Sequence, residues 1–349
     1  MTDQKIIKSV FPGCGAIQAL PFERIDTISG KLLGERALAR YRVIDAKDKA
    51  HYIVIKRKNS LVVPLGAVEL SPSFGVFVKV IYAHRIFGFN DGQKREKLFY
   101  EKVDDSMRSV LPHLLETYET LGGQSTILVM EEFSQGREVG EGDLRKIIDI
   151  ITDFHARYYG KREVVQQMKL NHYTPEDYRR SRDTLKALFD YYYDENVKIY
   201  GKKLTKDVAD FIDHIDAEYA EVMDHQTLTH NDFTPRNLFV DERGIIIYDW
   251  ELACYQNPEH DLVELLISTI GDDFTDVQIR KIIAYYRKTL AEKTGQKISD
   301  AKFAKVMRFN ALEYCVSRLA IYRSYSRHSQ NSLVKKCVKN ARKVLEVCR

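Results

Sequence analysis

The chain of 349 residues contains no run of about 18 apolar residues, which excludes a membrane-spanning helix. Cysteine is scarce: Cys14, Cys254, Cys315, Cys337 and Cys348 are an odd number and form no CxxC pair. They read as reduced thiols of a cytoplasmic protein, and neither a disulfide framework nor a zinc site is expected. The first ten residues hold lysines but no apolar signal-peptide core, so secretion is not expected. A surplus of one charge is missing as well. Lysine and arginine number 54 against 50 aspartates and glutamates, a net charge of +4, and this leaves no basic field for nucleic acid. Internal repeats and low-complexity segments are absent. With 44% hydrophobic and 30% charged residues, over a length that exceeds one ordinary core, the chain reads as globular with two lobes or domains.

The most informative stretch is His230-Asn231-Asp232-Phe233-Thr234-Pro235-Arg236-Asn237, an HxDxxxxN pattern. An apolar strand, a turn over residues 241–244 and the β-branched run Ile245-Ile246-Ile247 lead from it to Tyr248-Asp249-Trp250. Phosphoryl transfer calls for this set of groups: one carboxylate at the acceptor hydroxyl, then an amide oxygen and a second carboxylate on the magnesium ions that neutralise the phosphates. Asn237 follows Asp232 by five positions and Asp249 follows Asn237 by twelve, the length of one short hairpin. Alone, the first string reads more simply as an Asp-rich surface turn. The second aspartate at the end of an apolar strand favours the kinase layout.

Upstream, residues 22–28 form a strand candidate that runs into a loop with Gly30 and Gly34. Residues 37–44 and 51–58 then alternate as a hairpin. Strand, glycine loop, strand, strand is the order of a kinase nucleotide lobe, and Lys56 sits where the phosphate-contacting lysine belongs. The glycines fall short of GxGxxG, and two turn glycines are the plain alternative. The lysine needs a glutamate partner on the next helix. Glu96, in a helical pattern over residues 93–101, is that partner. A rival lysine, Lys79, lies in the long segment 59–90, seventeen residues before Glu96. Lys56 is preferred because loop and hairpin precede it in order; residues 74–87 then form a helix. The strand over 125–130 leads into Glu131-Glu132-Phe133, where a hinge would meet the adenine edge. From residue 141 the period turns helical, with Leu144, Ile147, Ile148, Ile151 and Phe154 on one face and His155 a packed helix residue. Residues 161–229 read as helices joined by loops, with a break at Thr174-Pro175, and residues 274–349 as helical and basic towards the end. Asp261 reads as the N-cap of an apolar helix, placed to brace the HxDxxxxN loop.

Residues 228–266 resemble the catalytic core of the aminoglycoside phosphotransferase and choline kinase-like superfamily, which shares the protein-kinase fold. Asp249 is followed by Trp250-Glu251 and not Phe-Gly, no activation segment ending in Ala-Pro-Glu follows, and Pro258-Glu259-His260-Asp261-Leu262 arrives almost at once. The Phe154-His155-Ala156 helix end and the Ile127-Leu128-Val129-Met130-Glu131 hinge are also similar to this group, and Arg95-Glu96 with Phe99-Tyr100 resembles the glutamate helix of its ecdysteroid kinase-like branch. Asn231 stands where the antibiotic kinases commonly carry glycine. The resemblance implies an α+β, two-lobed protein-kinase-like fold: a small antiparallel β-sheet lobe with a helix over residues 1–130, and a larger, mostly helical lobe over 131–349. It implies an ATP-dependent O-phosphotransferase acting on a hydroxyl of a small molecule, with GTP as the alternative donor. Asp232 would be the catalytic base, His230 its support, Asn237 and Asp249 the Mg2+ ligands, and Lys56 the phosphate contact positioned by Glu96. Gly30, Gly34, Glu131 and Phe133 would line the nucleotide. An atypical protein kinase is disfavoured by the missing activation segment, and a non-catalytic nucleotide-binding module by the intact Asp232, Asn237 and Asp249. The acceptor stays open. The cluster Asp190-Tyr191-Tyr192-Tyr193-Asp194-Glu195 with Tyr314, Tyr322 and Tyr325 mixes the acidic groups that suit a polycation with the aromatic faces that suit a quaternary ammonium.

Overall fold

The structure, a computed structural model, describes residues 1–21, 38–59, 83–123, 125–132, 136–271, 274–319, 321–322 and 333–348. The strand expected over 22–28, Gly30, Gly34, Lys79, Phe133 and Tyr325 lie outside them, as does most of the helix expected over 74–87. The chain divides into two compact units, one of Met1–Val80, Asn90–Arg137 and Phe239–Glu251, the other of Ile81–Phe89, Glu138–Leu238 and Leu252–Arg349.

The first unit is built on an antiparallel sheet of five strands, β1 (Ala16–Leu20), β2 (Leu38–Ile44), β3 (Ala50–Asn59), β4 (Leu114–Thr120) and β5 (Ser125–Glu131), in the order β1-β2-β3-β5-β4. The β2–β3 turn closes on Asp45, whose carboxylate accepts the N–H groups of Lys47 and Lys49 at 2.8 and 3.0 Å and meets His51 Nε2 at 2.9 Å. That turn sets Leu38 opposite Lys56, and Lys56 in turn lies opposite Leu128 of β5. Side chains alternate across β3 with a period of two. Ile53 and Ile55 therefore share a buried core with Val43, Ile127 and Val129, while Lys56 and Lys58 point to the other face. Helix α1 (Asp3–Val10) closes that core with Ile6 and Ile7. Neither α1 nor β1 was expected from the sequence pattern. On the lysine side, helix α2 (Gly92–Lys102) buries Arg95, Glu96, Phe99 and Tyr100. The strands Leu238–Asp241 and Gly244–Ile247 are hydrogen-bonded neighbours joined by a short turn, as the β-branched run predicts.

The second unit is mainly helical: α3 (Leu144–Tyr158), α4 (Pro175–Tyr191), α5 (Tyr193–Ala220), α6 (Glu259–Thr269), α7 (Asp276–Thr294), α8 (Asp300–Val316) and α9 (Leu333–Val347). The expected apolar face of α3, Leu144, Ile147, Ile148, Ile151 and Phe154, is buried. The break at Thr174-Pro175 is a helix start. Thr174 and Asp177 exchange a capping box around Pro175 at the first helical position, which has no N–H to satisfy. Gly201, at φ +76°, interrupts α5. Helix α6 packs on α8 and α9, and α3 on α7. The short strands Thr227–Thr229 and Cys254–Gln256 pair antiparallel within this unit. Among the described residues no helix is long and apolar enough to cross a membrane. A small antiparallel-sheet unit with its helix and a larger helical unit make up the expected α+β, two-lobed architecture.

One element departs from expectation. Asp261 is not a helix cap, because α6 already starts at Glu259 behind Pro258. Asp261 lies in the first helical turn, where its carboxylate is committed to another chain segment.

Candidate active site

In the first unit three of the expected residues converge. Lys56 Nζ donates to Glu96 Oε1 at 2.8 Å and to Asp249 Oδ1 at 2.5 Å. Burial opposes the Lys56 charge, yet the Asp249 and Glu96 carboxylates outweigh it and hold the ammonium above the ordinary lysine range. Asp249 follows the end of Gly244–Ile247 at φ +66°, a left-handed conformation uncommon outside glycine. The residues around it hold it there. Trp250 stacks on Phe99 of α2 with ring centroids 4.0 Å apart and planes within 11°, and its indole N–H donates to Ile247 O at 3.2 Å. The buried Arg95 donates to Glu251 O and, at 2.5 Å, to Asn90 O. Glu131 ends β5, its backbone N–H on His113 O at 2.9 Å.

Lys58 joins the same cluster. Its Nζ pairs with the Glu251 carboxylate and stands 3.6 Å from Asp249 Oδ1 and 3.8 Å from Glu96 Oε2. Burial and the neighbouring Lys56 charge push the Lys58 pKa down to about 8, against the pull of Asp249 and Glu96. The sequence reading passed over both Lys58 and Glu251. Their spacing was the available signal, each lying two residues beyond Lys56 and Asp249, respectively.

In the second unit the loop of residues 230–237 is held almost wholly by buried side chains. Asp261 accepts the backbone N–H of His230 at 2.8 Å and of Asn231 at 2.9 Å, and meets His155 Nε2 at 3.1 Å. Burial works against its ionisation, but the His155 hydrogen bond and the charges of His155, His230 and His260 hold the carboxyl below its ordinary value. Glu264, one helical turn on, accepts the Phe233 N–H at 2.7 Å and Arg318 Nε at 3.2 Å, while Arg318 also donates to Asn231 O. Asn231 sits at φ +59°, in the left-handed region that favours glycine. Asparagine tolerates this conformation. Here its side chain also ties the loop down, donating to Leu252 O at 2.9 Å and accepting from Gln256 Nε2 at 3.0 Å. Asn237 Nδ2 donates to Asp232 O at 2.8 Å and to Asp232 Oδ2 at 2.9 Å. Its nitrogen is spent on Asp232, so its amide oxygen is the donor atom left for a cation. Arg236 lies over the Tyr322 ring, 5.4 Å from its centroid, and donates to the hydroxyl at 3.0 Å. Tyr314 is buried in the core, and Tyr191 and Tyr193 are exposed.

The sequence reading also missed Glu264 and Arg318. Glu264 falls three residues after Asp261 on one face of α6, a detectable spacing. Arg318 carries no local signal, because its role arises from a contact 87 residues away along the chain.

Residues 138–295 match the sequence profile of the phosphotransferase enzyme family. No curated protein matches the chain by sequence. Among solved structures, the chain is similar to the choline kinase LicA of Streptococcus pneumoniae, with a TM-score of 0.50 at 13% identity over 99% of this chain and 98% of that one. It is similar to an aminoglycoside 2'-phosphotransferase bound to GDP, at 0.52 and 12% over 98% and 95%. A spectinomycin phosphotransferase in complex with ADP and spectinomycin gives 0.50 and 13% over 100% and 98%. The fold seen here is thus the two-lobed, protein-kinase-like fold of these phosphotransferase structures, and residues 138–295 match the phosphotransferase enzyme family.

Proposed function

We propose that the protein is an ATP-dependent O-phosphotransferase that moves a γ-phosphoryl group to a hydroxyl of a small molecule in the cytoplasm. The observation that carries this reading is the Lys56 ammonium held between Glu96 and Asp249, a preorganised cation suited to phosphate oxygens. In this reading Asp232 orients the acceptor hydroxyl and takes its proton, and the Asn237 amide fixes the carboxylate by donating to it. His230 supports the loop through its backbone, because a loose, largely dissociative transfer needs no second base. Mg2+ fits the donor chemistry, a carboxylate at Asp249 and an amide oxygen at Asn237, both hard oxygen ligands. Bound there, it would neutralise charge on the phosphates. The β5 end at Glu131 would meet the nucleotide base. Neighbours of similar fold bind ADP in one case and GDP in another, so ATP is proposed with GTP as a competing donor. The family match and neighbours named as choline kinase and as aminoglycoside or spectinomycin phosphotransferases support a small-molecule acceptor.

The test is ATP consumption with magnesium against a panel of aminoglycosides, choline, amino sugars, nucleosides and a casein-like protein, followed by mass spectrometry of the products. Phosphorylation of a small molecule, lost in Asp232→Asn, is expected. Phosphate transfer confined to protein, or ATP binding with no transfer to any acceptor in the panel or in a metabolite extract, would overturn the reading.

A further inference from the structure

A nucleotide lobe needs one lysine on its third strand to meet the phosphates. This strand offers two, Lys56 and Lys58, on the same face by its period of two. Lys56 already accounts for Glu96 Oε1 and Asp249 Oδ1. Glu96 Oε2 is buried with no hydrogen-bond partner among the described residues, and Lys58 Nζ stands 3.8 Å from it. The direct partner of Lys58 is Glu251, two residues beyond Asp249.

Asp249 needs such support. At φ +66° it holds a conformation that a residue with a side chain keeps only when its surroundings impose it. Two fastenings of the turn after Asp249 come from α2, the Phe99–Trp250 stack and the Arg95 bond to Glu251 O. The third comes from β3, as the Lys58–Glu251 ion pair. It joins the Lys56–Asp249 bond in tying this segment to the strand bearing Lys56. Both partners are largely shielded from solvent, with side-chain exposures of 17% and 22%, so the pair is screened less than a surface bridge.

We propose that Lys58 is a positioning residue: through its ion pair with Glu251 it clamps the turn after Asp249 to β3 and holds the Asp249 carboxylate ready for a divalent cation. The proposal rests on the reading of Asp249 as a magnesium ligand. Lys58 acts through Glu251 and touches neither nucleotide nor metal. Supporting groups of this kind typically change metal affinity tenfold or more when removed.

The experiment is calorimetric titration of the full-length protein with ADP, with and without magnesium, for wild type, Lys58→Met, Lys58→Arg, Glu251→Gln and the double variant Lys58→Met/Glu251→Gln. Lys58→Met is expected to weaken magnesium-dependent ADP binding about tenfold while metal-free ADP binding stays within about twofold. Lys58→Arg, which keeps the charge, should recover most of the loss. Glu251→Gln should reproduce most of the Lys58→Met loss, and the double variant should be no worse than Lys58→Met, because the Lys58–Glu251 pair is lost in all three and the longer approaches of Lys58 to Asp249 and Glu96 are lost whenever Lys58 is replaced. Equal losses with and without magnesium in Lys58→Met would make Lys58 a direct phosphate contact and overturn the proposal. Unchanged affinities, or additive losses in the double variant, would overturn it too. Asp249→Ala, run alongside, separates the two levels. If it alone keeps wild-type magnesium dependence, the ligand reading has failed and takes the clamp with it; if it loses that dependence while Lys58→Met keeps it, the clamp alone has failed.

Discussion

Asp261 gives one carboxylate oxygen to the backbone N–H of His230 and the other to that of Asn231, at 2.8 and 2.9 Å, with His155 closing the set. All of these groups are buried, so no water can replace what Asp261 supplies. An amide has one acceptor oxygen where the carboxylate has two. Asp261→Asn should therefore strand an N–H and lose the charge facing His155, destabilising the protein by about 3 kcal/mol. Urea unfolding reads this directly, and a midpoint unchanged from wild type would mean that the brace has little energetic weight.

Lys56 and Lys79 make opposite predictions. With the ammonium preorganised for the phosphates lost, Lys56→Ala should raise the ATP requirement or cut kcat by roughly two orders of magnitude. Lys79→Ala should stay near wild type. Steady-state kinetics on both variants decides, and the assignment of Lys56 fails if Lys79→Ala is the crippled one.

Asp232→Asn should abolish turnover and leave nucleotide affinity close to wild type, because it removes the acceptor-side group and spares the Lys56 cluster. Near wild-type kcat with the cognate acceptor would exclude Asp232 as the base.

For Asp249→Ala, nucleotide affinity should lose its dependence on magnesium, since the substitution removes a hard oxygen ligand. The measurement is nucleotide titration over a range of magnesium concentrations. A dependence indistinguishable from wild type would remove Asp249 from the ligand set.

A pH effect belongs to the β2–β3 turn. Hydrogen bonds from His51, then from the Lys49 and Lys47 N–H groups, hold the Asp45 carboxyl down at about 2, below the ordinary carboxylate range. A carboxyl whose folded pKa is depressed contributes stability above its unfolded pKa and loses it as pH falls through the folded one. The contribution of Asp45 should be complete above about pH 4 and vanish towards about pH 2. Asp45→Asn should accordingly flatten the stability profile between those values relative to wild type in acid titration of unfolding. Parallel profiles would show that the bond pattern carries no net energy.

Much of the chemistry is local in sequence and could be read there. Asp232 and Asn237 share one tight loop, so their five-residue spacing leads directly to a contact, the 2.9 Å bond between the two side chains. Alternation over residues 51–58 and the helical period over 144–154 are set by backbone geometry, and they produced the expected strand and helix. Residues joined across long separations were legible only where a motif named both. Lys56 and Glu96 were paired on that basis across forty residues. Lys58 and Glu251, or Arg318 and Asn231, had no such guide, because an ion pair or a side chain on a carbonyl leaves no periodic trace in either segment. Asp261 shows the limit from the other side. Its sequence position suggested a helix cap that also braces the loop, yet α6 starts two residues earlier, at Glu259, so Asp261 is no cap and only the brace is realised, with its carboxylate on the backbone of a loop thirty residues earlier. Local pattern determined which elements form and which residue types the loop contains. Only tertiary packing decided which buried polar groups the side chains must satisfy, since that follows from which N–H and C=O groups other segments leave without water.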